Sequence, residues 1–248
     1  MKILITGASS GIGQATAQLL AQKGHDLIIT ARRENKLKEV ALQSKNPLTI
    51  SYLDISKKDS IDNFVREHST WLQDIDVLIN NAGLALSRDP FQDTHFEDIQ
   101  MMINTNVTGL LELSRQVLSF MKKRNQGHII NLGSVAADTA YAGGAVYCAT
   151  KAAVHIYGEA LRHDLAGTRI RVSTVAPGRV ETDFSLVRFK GDSSQAQKVY
   201  EGFKALQPLD VAETIAWILE RPSHVNIQEV ILYPTEQVSA TTVVPFKT

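Results

Sequence analysis

Tyr147 and Lys151 stand four positions apart, so on a helix their side chains leave one face a single turn apart. A phenol titrates near 10 and is a poor proton carrier at neutral pH. Lowering it by about three units takes roughly 4 kcal/mol of differential stabilisation of the phenolate. A neighbouring ammonium in a desolvated site supplies stabilisation of that kind. By itself Tyr-x-x-x-Lys is a common surface pairing. Ser134, at the end of an apolar run upstream, gives it weight, because its hydroxyl and the phenol together offer two donors to one developing alkoxide. A proton exchanged at that oxygen while a hydride moves to or from its carbon interconverts an alcohol and a carbonyl, and needs no metal.

A hydride needs a carrier, and the amino terminus has the features of a site for one. Residues 6–13 read Thr-Gly-Ala-Ser-Ser-Gly-Ile-Gly after a short apolar run and before a helical pattern. Gly7, Gly11 and Gly13 allow a tight turn and a close approach of the backbone to a pyrophosphate. The helix that follows offers unpaired N–H groups and the positive end of its dipole. The spacing is Gly-x-x-x-Gly-x-Gly, not the commoner Gly-x-Gly-x-x-Gly, and its position between strand and helix carries the reading.

The end of the second apolar run reads Thr30-Ala31-Arg32-Arg33, where an NAD site usually places a carboxylate for the adenosine ribose. Two guanidiniums there suit a 2′-phosphate, which arginine pairs bidentately. Glu34 comes too far into the next helix to replace the carboxylate. The competing reading is a pair of solvated arginines opening a helix. NADP is the expected cofactor.

Those residues have to be positioned by an α/β framework. Apolar runs at 2–6, 26–30, 49–53, 75–80, 127–132, 170–175 and 230–233 read as strands, and most are continuous, as in a sheet covered on both faces. Helical patterns lie near 12–23, 33–44, 57–70, 95–122, 145–166 and 210–220. Such alternation predicts a parallel sheet with right-handed crossovers. No linker or repeat divides the 248 residues, so one domain is expected, with a cofactor half near 1–130 and a catalytic half near 131–248. The long irregular stretch 178–209, with a short helix over 194–205, reads as a substrate-covering lid. The segment 235–248 is assigned to no element.

Equal numbers of basic and acidic residues, 26 each, argue against nucleic acid or an anionic membrane surface as the main partner. The single cysteine, Cys148, forms no internal disulfide and reads as a small buried hydrophobe, and no Cys or His cluster has metal-ligand spacing. Residues 3–5 are too short for a signal-peptide core and no stretch is long enough to span a bilayer. A cytoplasmic protein without a metal is expected.

The chain resembles the short-chain dehydrogenase/reductase family over its whole length. Residues 6–13, Asp54, Asn80-Asn81-Ala82-Gly83, Asn106, Ser134, Tyr147 with Lys151, and Pro177-Gly178 carry the likeness, in the family's order. The resemblance implies a doubly wound Rossmann fold with a seven-stranded parallel sheet flanked by helices. It implies Tyr147 as general acid or base and Ser134 as holder of the substrate oxygen. Lys151 would bind the nicotinamide ribose and lower the tyrosine pKa, and Asn106 would hold a water in a proton relay. The implied cofactor contacts are Gly7, Ser9, Ser10, Gly11, Ile12, Gly13, Arg32, Arg33, Asp54 and Ile55 at the adenosine end. Asn81, Ala82, Gly83, Tyr147, Lys151, Pro177, Gly178, Val180 and Thr182 follow towards the nicotinamide. A homotetramer, with helices 95–122 and 145–166 at a dimer interface, is implied in the same way.

Within the family, Ala140-Tyr-Ala-Gly-Gly144, Val187-Arg-Phe-Lys-Gly-Asp192 and His224-Val-Asn-Ile227 look like the NADP-dependent 3-hydroxy acid dehydrogenases. That implies a small substrate with a carboxylate and a cation near the lid. Arg188, Lys190 and Arg179 are the candidates, Arg188 first. The alternatives are a 3-oxoacyl-carrier-protein or general carbonyl reductase, and a non-catalytic NADP sensor or scaffold. The carrier-protein reading needs a basic entrance that the sequence does not offer. The sensor reading does not need the catalytic groups that are present here.

Overall fold

The strands lie side by side in the order β3-β2-β1-β4-β5-β6-β7, all parallel, in a computed structural model that describes residues 1–246. They are β1 (Lys2–Thr6), β2 (Asp26–Ala31), β3 (Thr49–Tyr52), β4 (Val77–Asn80), β5 (Gly127–Leu132), β6 (Ile170–Pro177) and β7 (Glu229–Leu232). The helices are α1 (Gly11–Gln22), α2 (Glu34–Gln43), α3 (Lys58–Glu67), α4 (Ser69–Leu72), α5 (Phe96–Ile103), α6 (Leu110–Arg124), α7 (Ala145–Asp164), α8 (Phe184–Arg188), α9 (Ser193–Lys198) and α10 (Pro208–Leu219). This is the single-domain, doubly wound α/β architecture that the alternating pattern predicts.

Continuous apolar strands are what a sheet buried on both faces needs. Ile3, Ile5, Leu27, Ile29, Val77 and Ile79 face a layer containing Ala17 and Leu20 of α1, Leu37 of α2 and Ile215 of α10. Leu4, Ile28, Leu78 and Ile129 face Phe64 of α3, Leu113 and Val117 of α6 and Leu161 of α7. The strand order reverses between β1 and β4, and an open α/β sheet binds its ligands beyond the carboxyl ends of the strands at such a reversal.

The element boundaries depart from expectation in three informative places. The pattern over 95–122 is broken between α5 and α6 by a π-helical turn, Asn104–Gly109. Apolar periodicity does not reveal such a turn, because it changes hydrogen bonding and not hydrophobicity. At its end a Cβ on Gly109 would lie 1.9 Å from the Ile55 carbonyl oxygen, so this glycine permits the helix to touch the segment after β3. The pattern over 57–70 is interrupted at His68, leaving α3 and the single turn α4. The lid folds as α8 and α9, not as one helix over 194–205.

The tail after β7 folds back on the lid's first residues. Gln237 is buried, and its Oε1 accepts a 2.8 Å hydrogen bond from the Arg179 N–H. The last two residues of the segment 235–248 lie outside the described ones. Among the described residues no helix is long and apolar enough to cross a membrane.

Candidate active site

One cleft runs along the carboxyl ends of the strands. Gly7 and Gly11 turn the chain out of β1 at φ 67° and 57°, a conformation that side chains disfavour. Ser10 precedes α1 without capping it through its side chain, and the first turn carries no acid, so the helix's free N–H groups face the cleft uncompensated. Gly13 stands behind the loop. A Cβ there would lie 2.6 Å from the Gly7 carbonyl oxygen and 2.4 Å from Asn81 Nδ2, so its role here is close packing. Asn81 Nδ2 donates to the Thr6 carbonyl at 2.8 Å and to the Gly7 carbonyl at 3.1 Å. The N–H groups of Asn81 and Ala82 donate to Thr6 Oγ1 at 3.1 and 3.0 Å. The Asn80–Gly83 motif thus fixes the glycine loop against the end of β4.

At one end of the cleft, Arg32 and Arg33 follow β2 and are exposed. Arg33 Nη2 donates to Ser9 Oγ and Ser10 Oγ, each at 3.0 Å. Asp54 lies beside them, 7% exposed, its Oδ1 accepting from the Ser56 N–H at 3.1 Å and from Ser56 Oγ at 2.7 Å. Asp54, Ile55, Ala82 and Gly83 line the same cleft as Ser9, Ser10, Gly11 and Ile12. A small, positively charged end next to a loop of free N–H groups fits a phosphate on the adenosine side.

At the other end Ser134, Tyr147 and Lys151 come together, each nearly buried and each lining the cleft. Ser134 ends the strand-to-turn link, with its Oγ accepting the Ala136 N–H at 3.1 Å. Tyr147 and Lys151 leave the same face of α7, and Lys151 Nζ lies 5.8 Å from the phenol ring centroid while donating to the Leu132 carbonyl at 2.7 Å. Burial lowers the Lys151 ammonium to about 8. Burial pushes the Tyr147 phenol above its ordinary value, and Tyr141 adds to this, while Ser134 and the Arg188 guanidinium act against it. In this arrangement burial outweighs the lowering expected from the lysine.

Asn106 does not line the cleft. It lies in the π turn, 1% exposed, with Oδ1 accepting the Leu84 N–H at 2.8 Å and Nδ2 donating to the Leu84 carbonyl at 2.7 Å and to Thr150 Oγ1 at 3.1 Å. Its amide therefore clasps the segment after Gly83. A Cβ on Gly83 would lie 3.3 Å from Asn106 Oδ1 and 3.7 Å from Lys151 Nζ, which puts Gly83 between them.

Residues 177–187 form the third side. Pro177, Gly178, Val180 and Thr182 line the cleft, and Thr182 Cγ2 sits 3.1 Å from where a Gly11 Cβ would be. Phe184 packs on Tyr147 with ring centroids 5.6 Å apart. Arg188 stands outside the cleft lining but beside Tyr147, its Cζ 5.6 Å from the ring centroid. Sequence reasoning missed Phe184, Val187, Leu84 and the Leu132 carbonyl, all at the cleft. Apolar side chains and backbone oxygens carry no chemical signature of their own in a sequence.

Comparison with known proteins agrees with this geometry. The model of the short chain dehydrogenase family matches residues 1–192. The chain is 43% identical over 238 residues, 96% of each chain, to the NADP-dependent 3-hydroxy acid dehydrogenase of Escherichia coli (strain K12). It is 43% identical over 240 residues to the NADP-dependent 3-hydroxy acid dehydrogenase of Schizosaccharomyces pombe, covering 95% of this chain and 93% of the other. The closed form of a serine dehydrogenase complexed with NADP+ superimposes over 100% of both chains, with a TM-score of 0.93 and 42% identity. The chain belongs to the short chain dehydrogenase family.

Proposed function

We propose that this protein oxidises small 3-hydroxy acids, and reduces the matching 3-oxo acids or semialdehydes, with NADP as hydride carrier. The observation that carries the reading is a single cleft with Ser134, Tyr147 and Lys151 at one end and, at the other, Arg32 and Arg33 in place of an acid directly after β2. The relatives named above as acting on 3-hydroxy acids and serine with NADP support the substrate class and the cofactor.

The residues fit the cofactor. Gly7, Ser9, Ser10, Gly11 and Ile12 would hold the pyrophosphate, with Gly13 keeping the loop tight, and Arg32 and Arg33 the 2′-phosphate. Asp54 and Ile55 would flank the adenine. Asn81, Ala82, Gly83, Pro177, Gly178, Val180 and Thr182 would line the path to the nicotinamide. When bound, the oxidised nicotinamide supplies the hydride acceptor and a positive charge. Tyr147 takes the hydroxyl proton of the alcohol, or gives a proton to the carbonyl in reduction. Ser134 holds the same oxygen and stabilises its developing charge. Lys151 binds the ribose and favours the phenolate, while Asn106, from the π turn, supports the proton path past Gly83. The working protein is a cytoplasmic homotetramer in this reading.

Initial rates with NADP+ and NAD+, each paired with L-serine, L-allo-threonine, 3-hydroxypropionate and 3-hydroxybutyrate, test the proposal. Turnover of these acids with a clear NADP+ preference is expected. Silence on all of them, with activity on acyl thioesters or neutral ketones, would discard the substrate class.

A further inference from the structure

The amino-terminal edge of the sheet, opposite the cleft, carries a second cavity of about 440 Å³. It lies between the end of α7, the start of β6 and the segment that leads into β7. Arg162, Arg169, Arg171 and His224 line it, and no carboxylate does. Ile170, at this cavity, opens the strand that Pro177, in the cleft, closes. At the usual rise of a strand those two residues stand roughly 23 Å apart. The volume falls in the range of small-molecule sites, roughly 300–1,000 Å³.

Basic and acidic residues balance over the chain, 26 of each, so three arginines gathered without an acid are a local departure from a neutral whole. Asp164 ends α7 next to Leu165, which lines the cavity, but does not line it itself. None of the three guanidiniums makes an ion pair among the described residues. Arg171 is partly buried, with Nη1 donating to the Val225 carbonyl at 3.0 Å. Burial lowers its pKa below the ordinary arginine value, and no carboxylate stands near enough to offset that. Arg162 Nη1 donates to the neutral Gln228 Oε1. The walls are fixed. Asn226 clasps the Val172 backbone, accepting from its N–H at 2.9 Å and donating to its carbonyl at 3.0 Å. The Arg169 N–H donates to Asn125 Oδ1 at 3.2 Å, while its side chain makes no hydrogen bond among the described residues.

We propose that this cavity binds a small, multiply charged oxyanion that bears phosphate or carboxylate groups. Arginines keep their charge and pair such groups bidentately. Held together without an acid, they repel one another, and an anion seated among them removes that repulsion. The backbone ties of Asn226 and Arg169 set the walls beforehand, so less order is lost when the ligand enters. A closed volume of this size takes a small molecule and not an extended acidic chain. Because the site stands apart from the cleft, its ligand binds alongside NADP and does not compete with it.

The test is calorimetric titration of the full-length protein with inorganic pyrophosphate and, separately, with citrate. NADP+ is kept saturating, so that the anion sites of the cleft are filled. Salt is held at about 0.15 M, where isolated surface charges are largely screened. One equivalent of at least one probe is expected to bind. Pyrophosphate alone assigns a phosphate-bearing ligand, and citrate alone a polycarboxylate. Arg169→Gln is expected to weaken binding roughly tenfold, and Arg162→Gln with Arg169→Gln roughly 100-fold. Arg66→Gln removes the same charge from α3, far from the cavity, and should leave the affinity within about two-fold. Binding of neither probe overturns the proposal, and so does an equal loss in Arg66→Gln. If the double variant does not fold, Arg169→Gln decides, and wild-type affinity there overturns it.

Discussion

Arg33 Nη2 donates to Ser10 Oγ at 3.0 Å, tying the residue that opens α2 to the one that opens α1. The contact places a guanidinium at the mouth of the anion-binding loop, and Arg32 stands next to it. Replacing Arg33 with Asp puts a carboxylate where a 2′-phosphate would sit. The charge-assisted pair is worth about 2–3 kcal/mol, so the ratio of kcat/KM for NADP+ over NAD+ is expected to fall by roughly 100-fold. An unchanged ratio would assign Arg33 to solvent.

Tyr147→Phe removes the proton carrier and keeps the ring that packs on Phe184. Turnover is expected to fall by at least about 10³-fold, while NADPH binding, measured by fluorescence, changes by no more than a few-fold. Turnover at the wild-type rate would remove the phenol from the mechanism.

Carbonyl reduction needs a protonated phenol and a charged Lys151. Burial raises the former and lowers the latter to about 8. The phenol therefore stays protonated through neutral pH, and Lys151 is the first of the two to lose its proton. Rates of reduction are expected to be flat below pH 8 and to decline above it, and a pH–rate profile of kcat/KM checks this. A profile still flat two units higher would exclude the lysine's charge as a requirement.

His128 lies on β5, 2% exposed, with Nε2 2.8 Å from Ser173 Oγ, and burial lowers its pKa from 6.5 to about 3. The fold holds it neutral, and the unfolded chain takes up the proton first. Its contribution is complete above pH 6.5 and is lost as the pH falls towards 3, by up to roughly 5 kcal/mol. Urea denaturation at a series of pH values should show that acid slope, and His128→Gln should flatten it. Equal slopes would locate the acid sensitivity elsewhere.

Gly109→Ala places a methyl against the Ile55 carbonyl, with no room for it. The backbone must shift, at a cost of about 1–3 kcal/mol or more, and Ile55 moves with the cofactor cleft it lines. A lower denaturation midpoint with weaker NADPH binding is expected. An unchanged midpoint would show that the π turn tolerates displacement.

Much of this was legible in the residues because the signals are local. Alternating apolar runs located the strands, since a two-faced sheet leaves little choice of residue. The glycines at 7 and 11 declared a tight turn, and Tyr147 with Lys151 declared a shared helix face. What stayed hidden depends on long-range contact. The π turn around Asn106, the clasp on Leu84 and the approach of Gly109 to Ile55 follow from how that turn meets the segments after β4 and β3, which no periodicity encodes. Arg188 led the three cations named near 178–209, but its burial against Ser87 and Tyr141 had no local signal. The tail's return onto Arg179 through Gln237 had no local signal either.

The most direct test of the account follows the hydride. 3-Hydroxybutyrate carrying deuterium on the carbinol carbon, incubated with NADP+ and the wild-type protein, should transfer that deuterium to C4 of the reduced nicotinamide. A primary isotope effect is expected when chemistry limits the rate, and Tyr147→Phe should abolish the transfer. Reduced cofactor that carries no deuterium, or none formed from any 3-hydroxy acid, would contradict it.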